Sequence, residues 1–355
     1  MKPCYWPDHG AVIDSQGFIK PCCMMGGYEM LNNNHNVLDG IHIDHTDSIN
    51  EYFYSDFLIY LRKSLQENNI EGTPECHNCK LQIENNVGRH FQQSYEYSDY
   101  AMDGSIKFLE ITTSNICNQT CVTCNSYFSS KWETIEQLFN DKFQKRKQFN
   151  LSNDAMDKII KVLPELKVLN IKGGEPFADI RNAKILEKLV EVNPDCQVWI
   201  LSNASIISNR FIKVLKRIKN LSLTASLDHI GKKYEWIRST PFDQTLYTLK
   251  RIYEETGIRF SVSPTISYFN ILDMEEIKSF YEDFEYTKWH IQNYNDYNFV
   301  RWPAEMDCLN TRTQEELDSI DRGLISKFNP HKYNELQNKI NIMNEIRGFD
   351  WSDEL

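Results

Sequence analysis

The chain of 355 residues is defined first by what it lacks. It has no run of 18 apolar residues, so no membrane-spanning helix is expected. The stretch from Met1 to Asp8 has no apolar core of the kind a secretory signal needs. Basic charge is not in excess: 39 Lys and Arg stand against 50 Asp and Glu, a formal charge of −11. A broad phosphate-backbone binder needs a basic footprint, so no nucleic-acid partner is expected. A local basic knot, Lys142, Lys145, Arg146 and Lys147, reads as a solvated loop. Internal repeats and low-complexity linkers are missing too. Cysteine, by contrast, is plentiful, with ten residues. Without export the expected location is the cytoplasm, where thiols serve as metal or redox ligands rather than as a disulfide framework. Asn118-Gln-Thr120 fits a glycosylation sequon and is discarded on the same ground.

Three of the ten form Cys117-x3-Cys121-x2-Cys124. Chance would place such a triplet in a chain of this composition only roughly 0.01 times. Three thiolates on one short loop can hold a four-iron cluster and leave its fourth iron open to an exchangeable ligand. The alternative is a zinc loop, but structural zinc prefers four closed ligands, usually with a Cys-x2-Cys pair at each end. At this point the sequence resembles the radical S-adenosylmethionine (radical SAM) family, whose cluster motif has this spacing. The resemblance implies an open [4Fe–4S] cluster on Cys117, Cys121 and Cys124, with S-adenosylmethionine (SAM) as second cofactor. It implies an electron donor such as flavodoxin or ferredoxin. It also implies reductive cleavage of SAM to methionine and a 5′-deoxyadenosyl radical, which takes hydrogen from a substrate C–H bond. Relatives often carry an aromatic residue before the third cysteine; here it is Thr123.

From about residue 103 strand-like and helix-like patterns alternate. β-rich runs occur at 106–112, 167–172, 197–202, 221–227, 259–266 and 287–292, with helical patterns at 183–192, 208–218, 242–255 and 274–284. Alternation of this kind implies βαβ units and a parallel sheet, so the fold class is α/β. The pattern leaves a doubly wound sheet open; the resemblance implies a partial (β/α)6 barrel. Three segments are expected: 1–102, a small Cys-rich domain; 103–300, the core; and 301–355, an extension with helices at 313–328 and 332–346.

Lys172-Gly173-Gly174-Glu175-Pro176 follows the second run. Paired glycines let backbone approach a ligand, and the carboxylate can accept from an ammonium group. In the family a Gly-Gly-Glu-Pro loop here holds the amino group of SAM's methionine portion. The resemblance further implies SAM contacts from Asn203, where relatives carry Thr-Asn-Gly but this chain has Ala204 next. It implies others from Ser226, in Ser226-Leu227-Asp228, and from Arg238. Turn chemistry at a strand end accounts equally for Ser226 and Asp228, and a helix-surface ion pair for Arg238.

Cys4, Cys22, Cys76 and Cys79 form a second set, with Gly17 permitting the tight turn that returns the chain between the first two. Four thiolates can close around iron–sulfur or zinc. The pattern resembles the twitch domain, the shorter form of SPASM, which implies a second, auxiliary [4Fe–4S] cluster; zinc is the alternative. Cys23 and Cys196 read as buried small hydrophobes. Cys308 is a candidate hydrogen donor, weighed against a structural thiol. Tyr268, Asn270, His290, Asn293 and Tyr294 are expected near the substrate. The substrate is expected to be a peptide or protein. A small metabolite such as an amino sugar or nucleotide is the alternative, and a non-catalytic metal-binding scaffold is the competing class.

Overall fold

The computed structural model describes residues 4–25, 41–67, 69, 73, 76, 79, 94, 104–139, 150–291, 297–300, 303–321 and 323–354. Asn293, Tyr294 and the basic knot at 142–147 lie outside them. A hairpin comes first, β1 (Gly10–Ile13) and β2 (Ile19–Lys20), followed by α1 (Asp56–Gln66). The alternating region runs β3 (Phe108–Ile111), α2 (Trp132–Phe139), α3 (Asn153–Val162), β4 (Val168–Ile171), α4 (Ile180–Val192) and β5 (Gln197–Ser202). It continues through α5 (Asn209–Leu215), β6 (Asn220–Ala225), α6 (Gly231–Arg238), α7 (Phe242–Thr256), β7 (Phe260–Val262) and β8 (Thr265–Ile266). The last elements are α8 (Met274–Asp283), β9 (Thr287–Lys288), β10 (Asn298–Phe299) and α9 (Pro330–Arg347).

Local chemistry explains the boundaries. Ser152, Asp179 and Ser208 cap α3, α4 and α5, each side chain accepting a backbone N–H from the first turn. Helices α7 and α9 stop at Gly257 and Gly348, whose φ values of +73° and +77° suit glycine. β3 and β4 are buried on both faces, as parallel strands covered by helices must be, and are apolar apart from Glu110 and Asn170.

Two compact units are present: residues 1–114, 148–199 and 217–221, and residues 115–147, 200–216 and 222–355. In the first, β1 pairs antiparallel with β2 and parallel with β3, and β3 pairs parallel with β4, Phe108 opposite Val168 and Ile111 opposite Ile171. In the second, β6, β7 and β9 run parallel in that order, and β8 pairs parallel with β10. The fold is a mostly parallel α/β arrangement consistent with the partial barrel. Among the described residues no helix is long and apolar enough to cross a membrane.

These units cut across the segments 1–102, 103–300 and 301–355. The first hairpin is hydrogen-bonded onto β3. Helix α9 places Leu336, Ile340 and Met343 in one buried cluster with Val122, Trp132, Trp236 and Phe269. The helix expected over 313–328 is a correction: only Gln314–Asp318 is helical, started by a capping box of Thr313 and Glu316. Ser319 and Gly323 then follow, poor propagators of so short a turn.

Asp273, just before α8, ties that helix to the segment after β6. Its Oδ2 lies 2.9 Å from His229 Nε2 and 2.8 Å from Lys233 Nζ. The His229 hydrogen bond and the Lys233 ammonium hold its carboxyl down at about 2, below the ~3.9 of an unfolded chain. A depressed carboxylate stabilises above its unfolded value, and that contribution is lost as pH falls through the folded one. Asp273→Asn is therefore expected to cost on the order of 1–2 kcal/mol near neutrality, with parent and variant converging between pH 4 and 2 in urea-unfolding curves.

Candidate functional site

The second unit contains the loop that carries Cys117, Cys121 and Cys124. A buried irregular loop must find partners for its backbone outside any ladder, and here neighbours supply them. Val122 N donates to Ile237 O at 2.9 Å. Thr120 N donates to Ser239 Oγ at 2.7 Å, and Gln119 Nε2 to Thr240 Oγ1 at 3.0 Å. Trp132 Nε1 donates to Cys121 O at 2.9 Å, and Ser129 Oγ to Gln119 O at 2.8 Å. From α9, Arg347 donates to Thr120 O and Thr120 Oγ1 and, through Nε, to Trp236 O. Ser239 is in the left-handed region at φ +57°, which turns its hydroxyl toward the loop at the end of α6. Arg347, Ser239, Thr240 and Gln119 carry no motif. Only the glycine stop after Arg347 marks that arginine in the sequence as a helix-end cation.

The three thiols come together. Burial pushes Cys124 up, and Cys121 and Cys117 add to the shift as neighbouring thiolates. Burial also raises Cys121, against the opposing pull of the Arg238 guanidinium. Arg238 Nη1 lies 3.5 Å from Cys121 Sγ, and its Nη2 lies 2.6 Å from Asp228 Oδ2. This pair is buried, the side chains 9% and 1% exposed, so the helix-surface reading of Arg238 is corrected. Asp228 is fixed in turn: its Oδ1 accepts from Thr265 N at 2.8 Å and its carbonyl from Asn270 Nδ2 at 3.0 Å. Among the described residues Arg238 Nε is buried without a hydrogen-bond partner, and the cation, reaching Cys121 through Nη1, suits an anionic, sulfur-rich group.

Asn203 lies against the same loop. Its Nδ2 donates to Asn118 Oδ1 at 2.9 Å and sits 3.9 Å from Cys117 Sγ; its Oδ1 accepts from Ser205 N and Ser205 Oγ. Ala204 adopts φ +54°. A left-handed conformation costs alanine about 1 kcal/mol more than it would glycine. Ser226, half-buried, donates its N–H to Ser202 O at 2.9 Å. Asn270 is wholly buried, its amide taken by Asp228 O, Thr265 O and Ser267 N, so it holds a turn rather than facing a substrate. Tyr268 is half-buried under the Arg312 guanidinium, 3.7 Å from its ring centre, and His290 is exposed. Cys308 is wholly buried at the start of the short helix Cys308–Thr311.

In the first unit the loop after β4 is shaped by Gly173, at φ +94°. A Cβ there would lie 2.0 Å from Thr112 Cγ2 and 2.8 Å from Thr112 Cβ. Gly174 is half-buried and Glu175 and Pro176 are buried; Glu175 Oε1 accepts from Phe177 N at 3.0 Å. Asp179, unremarked in the sequence, joins this loop to the end of β3. Its Oδ2 accepts from Thr113 Oγ1 at 2.7 Å and Ser114 Oγ at 2.8 Å, and Arg181 forks onto it at 2.6 Å. Burial would raise its carboxyl, but the Arg181, Thr113 and Ser114 hydrogen bonds outweigh it and hold the group low.

The same unit brings the other four thiols together. Cys22 is pushed far up by burial and by neighbouring Cys23, Cys4, Cys76 and Cys79. Cys4 is raised to about 12 by burial, with Cys79 contributing. Cys4 and Cys22 pack against Trp6, Phe108 and Val168, and Gly17 makes its turn at φ +86°. Among the described residues, no three His, Cys, Asp or Glu side chains are set to share a single metal ion. Cys23 is exposed, a correction to its reading as a buried hydrophobe, while Cys196 is buried as expected. On the β3–β4 face that carries Phe108 and Val168, Glu110 Oε2 accepts from Asn170 Nδ2 at 2.8 Å and pairs with Lys172 Nζ at 2.8 Å.

Residues 111–284 match the family model described as the radical SAM superfamily, just under half the chain. The chain carries a radical SAM domain. Members of that superfamily use a [4Fe–4S] cluster and SAM. No curated protein matches the sequence. Among solved structures the chain is similar to anSMEcpe with bound AdoMet: 14% identity, 68% of this chain and 61% of that one covered, TM-score 0.42. It is similar to Streptococcus suis SuiB bound to S-adenosylmethionine, at 15% identity, with 84% and 63% covered and a TM-score of 0.35. A third is the radical S-adenosylmethionine methyltransferase TsrM from Kitasatospora setae, at 15% identity, 51% and 35% covered, TM-score 0.35. The alignment with anSMEcpe thus spans under two thirds of that protein's length.

Gly173→Ala combines a left-handed φ with a clash against the Thr112 side chain, an expected loss of about 3 kcal/mol. Urea unfolding checks it. Adding Thr112→Gly to the variant is expected to recover the part that comes from the clash and leave the part that comes from φ.

Proposed function

We propose that the chain is a radical SAM enzyme in which Cys117, Cys121 and Cys124 hold an open [4Fe–4S] cluster and a C–H bond of a peptide or protein substrate is the target. The observation that carries this reading is the gathering of three thiols on one braced, buried loop beside an arginine with an unused N–H. When bound, the cluster supplies an iron site for SAM's methionine portion and the electron for its reductive cleavage.

The chain's own residues do the rest. Gly173 and Gly174 bring backbone within reach of a ligand, and Glu175 offers a carboxylate to the methionine ammonium. Burial of Glu175 and Pro176 supports a dry, low-dielectric setting for that contact. Asn203 positions Asn118 on the cysteine loop, and a contact to SAM is assigned to Asn203. Ser226 offers a hydroxyl to the ribose or carboxylate. Cys4, Cys22, Cys76 and Cys79 are assigned an auxiliary [4Fe–4S] cluster, with zinc as the alternative occupant. Glu110 and Lys172 give the face between the Phe108–Val168 level and Gly173 a polar pair suited to a substrate's amide or carboxylate. A peptide is preferred because Ser226-Leu227-Asp228 together with the twitch pattern resembles peptide maturases. An electron donor of the flavodoxin or ferredoxin class is the expected partner. Cys308, wholly buried, is assigned to packing, with the hydrogen-donor role set second.

Anaerobically reconstituted protein is expected to hold about eight irons per chain, and about four when Cys117, Cys121 and Cys124 are all alanine. Only the parent should release 5′-deoxyadenosine with SAM and dithionite. A fully loaded parent that releases none would favour a non-catalytic scaffold. About four irons with zinc retained would make the N-terminal set structural. Cys308→Ala is expected to form product in the parent's yield; loss of product with iron and 5′-deoxyadenosine release retained would return that thiol to the chemistry.

A further inference from the structure

We infer that Arg238 is a positioning residue that sets the reduction potential of the cluster on Cys117, Cys121 and Cys124, donating to the Cys121 thiolate from a place fixed by Asp228. This rests on the reading of that loop as a cluster site. The guanidinium reaches Cys121 Sγ at 3.5 Å through Nη1, while Nη2 is engaged 2.6 Å from Asp228 Oδ2. Asp228 cannot swing away, because Thr265 N and Asn270 Nδ2 hold its carboxylate and its carbonyl. The Nε of the same guanidinium is buried and, among the described residues, has no hydrogen-bond partner. Water does not screen the group, since the Arg238 and Asp228 side chains are 9% and 1% exposed.

Hydrogen bonds to cluster sulfurs and the net charge around them set the potential of an iron–sulfur centre. Taking up one electron makes the cluster more negative, so a buried N–H donor carrying positive charge favours the reduced form. Asp228 works in the opposite sense, offsetting part of that charge while holding the donor in line. The two residues therefore have predictable and opposite effects. Arg238→Met removes donor and charge and leaves a buried carboxylate, so reduction becomes harder. Asp228→Asn leaves the cation uncompensated, so reduction becomes easier. An ion pair with only a structural role would lower the stability of both variants and move neither potential. An arginine acting only on the SAM carboxylate would weaken SAM binding and leave the SAM-free potential unchanged.

The test is an EPR-monitored redox titration of the reconstituted full chain without SAM, following the signal that disappears in the Cys117, Cys121 and Cys124 triple alanine variant. In Arg238→Met the reduction equilibrium is expected to shift about tenfold toward the oxidised form, about 59 mV for a one-electron couple. In Asp228→Asn it is expected to shift the other way. Arg238→Lys keeps the charge and the pairing with Asp228 but not the planar fork, and is expected to fall between parent and Arg238→Met even where the methionine variant folds poorly. Unchanged potentials with iron retained, or shifts of the same sign in both variants, would overturn the inference. A parent without any signal dependent on the three cysteines would instead remove the cluster reading on which it stands.

Discussion

A loop that must present three thiols cannot also be a helix or a strand, and the second unit is organised around that constraint. The stretch from Asn115 to Ser130 is largely irregular, and its buried groups are satisfied one by one. Ile237 O, Ser239 Oγ and Thr240 Oγ1 do this at the end of α6, Trp132 at the start of α2, and Arg347 at the end of α9. A buried unmet backbone group costs about 1–3 kcal/mol, so losing several of these partners would exceed the whole net stability of an ordinary domain. All of these braces except Trp132 come from segments more than a hundred residues away from the loop in sequence. The site is therefore a product of tertiary packing, not of the motif that marks it.

The same constraint explains why the C-terminal helix is not an appendage. Leu336, Ile340 and Met343 bury one stripe of α9 against Val122, Trp132, Trp236 and Phe269. That packing delivers Arg347 to Thr120, and Asn344 Oδ1 to Trp236 Nε1 at 2.8 Å. Apolar burial supplies the stability here, and the polar contacts at its edge supply the register.

Much of this was legible in the sequence because the signals were local. The strands from Phe108–Ile111 to Thr287–Lys288 fall inside the β-rich runs, and the helix Phe242–Thr256 nearly matches its pattern, since both follow from apolar periodicity and a glycine stop. Cys117, Cys121 and Cys124 announced themselves by spacing, and Gly173 by its neighbour glycine. Other features were illegible because their meaning is a partner far along the chain. Asp179 went unremarked in the sequence; it caps α4, and its second oxygen holds Thr113 and Ser114, about 65 residues earlier. The β1 hairpin looked like part of a separate module because a four-residue strand has no periodicity to show which edge it will join. Ala204 stood out as a departure, and in the fold it adopts a positive φ that glycine would take more easily.

Asp228 shows how far a motif can be trusted. In Ser226-Leu227-Asp228 the aspartate looks like a group at the substrate side of a strand end. In the fold it is 1% exposed and engaged by Arg238, Thr265 N and Asn270, so no substrate has access to it without breaking three contacts. Burying a carboxylate and a guanidinium is unfavourable unless each satisfies the other, and such a pair seldom adds net stability over an apolar packing of similar size. A buried charge pair beside Cys121, where a cluster is proposed, is better understood as fixing the field at that cysteine than as holding the fold. Its place on the strand end is what the sequence reveals; its direction, inward to Cys121, decides what it does.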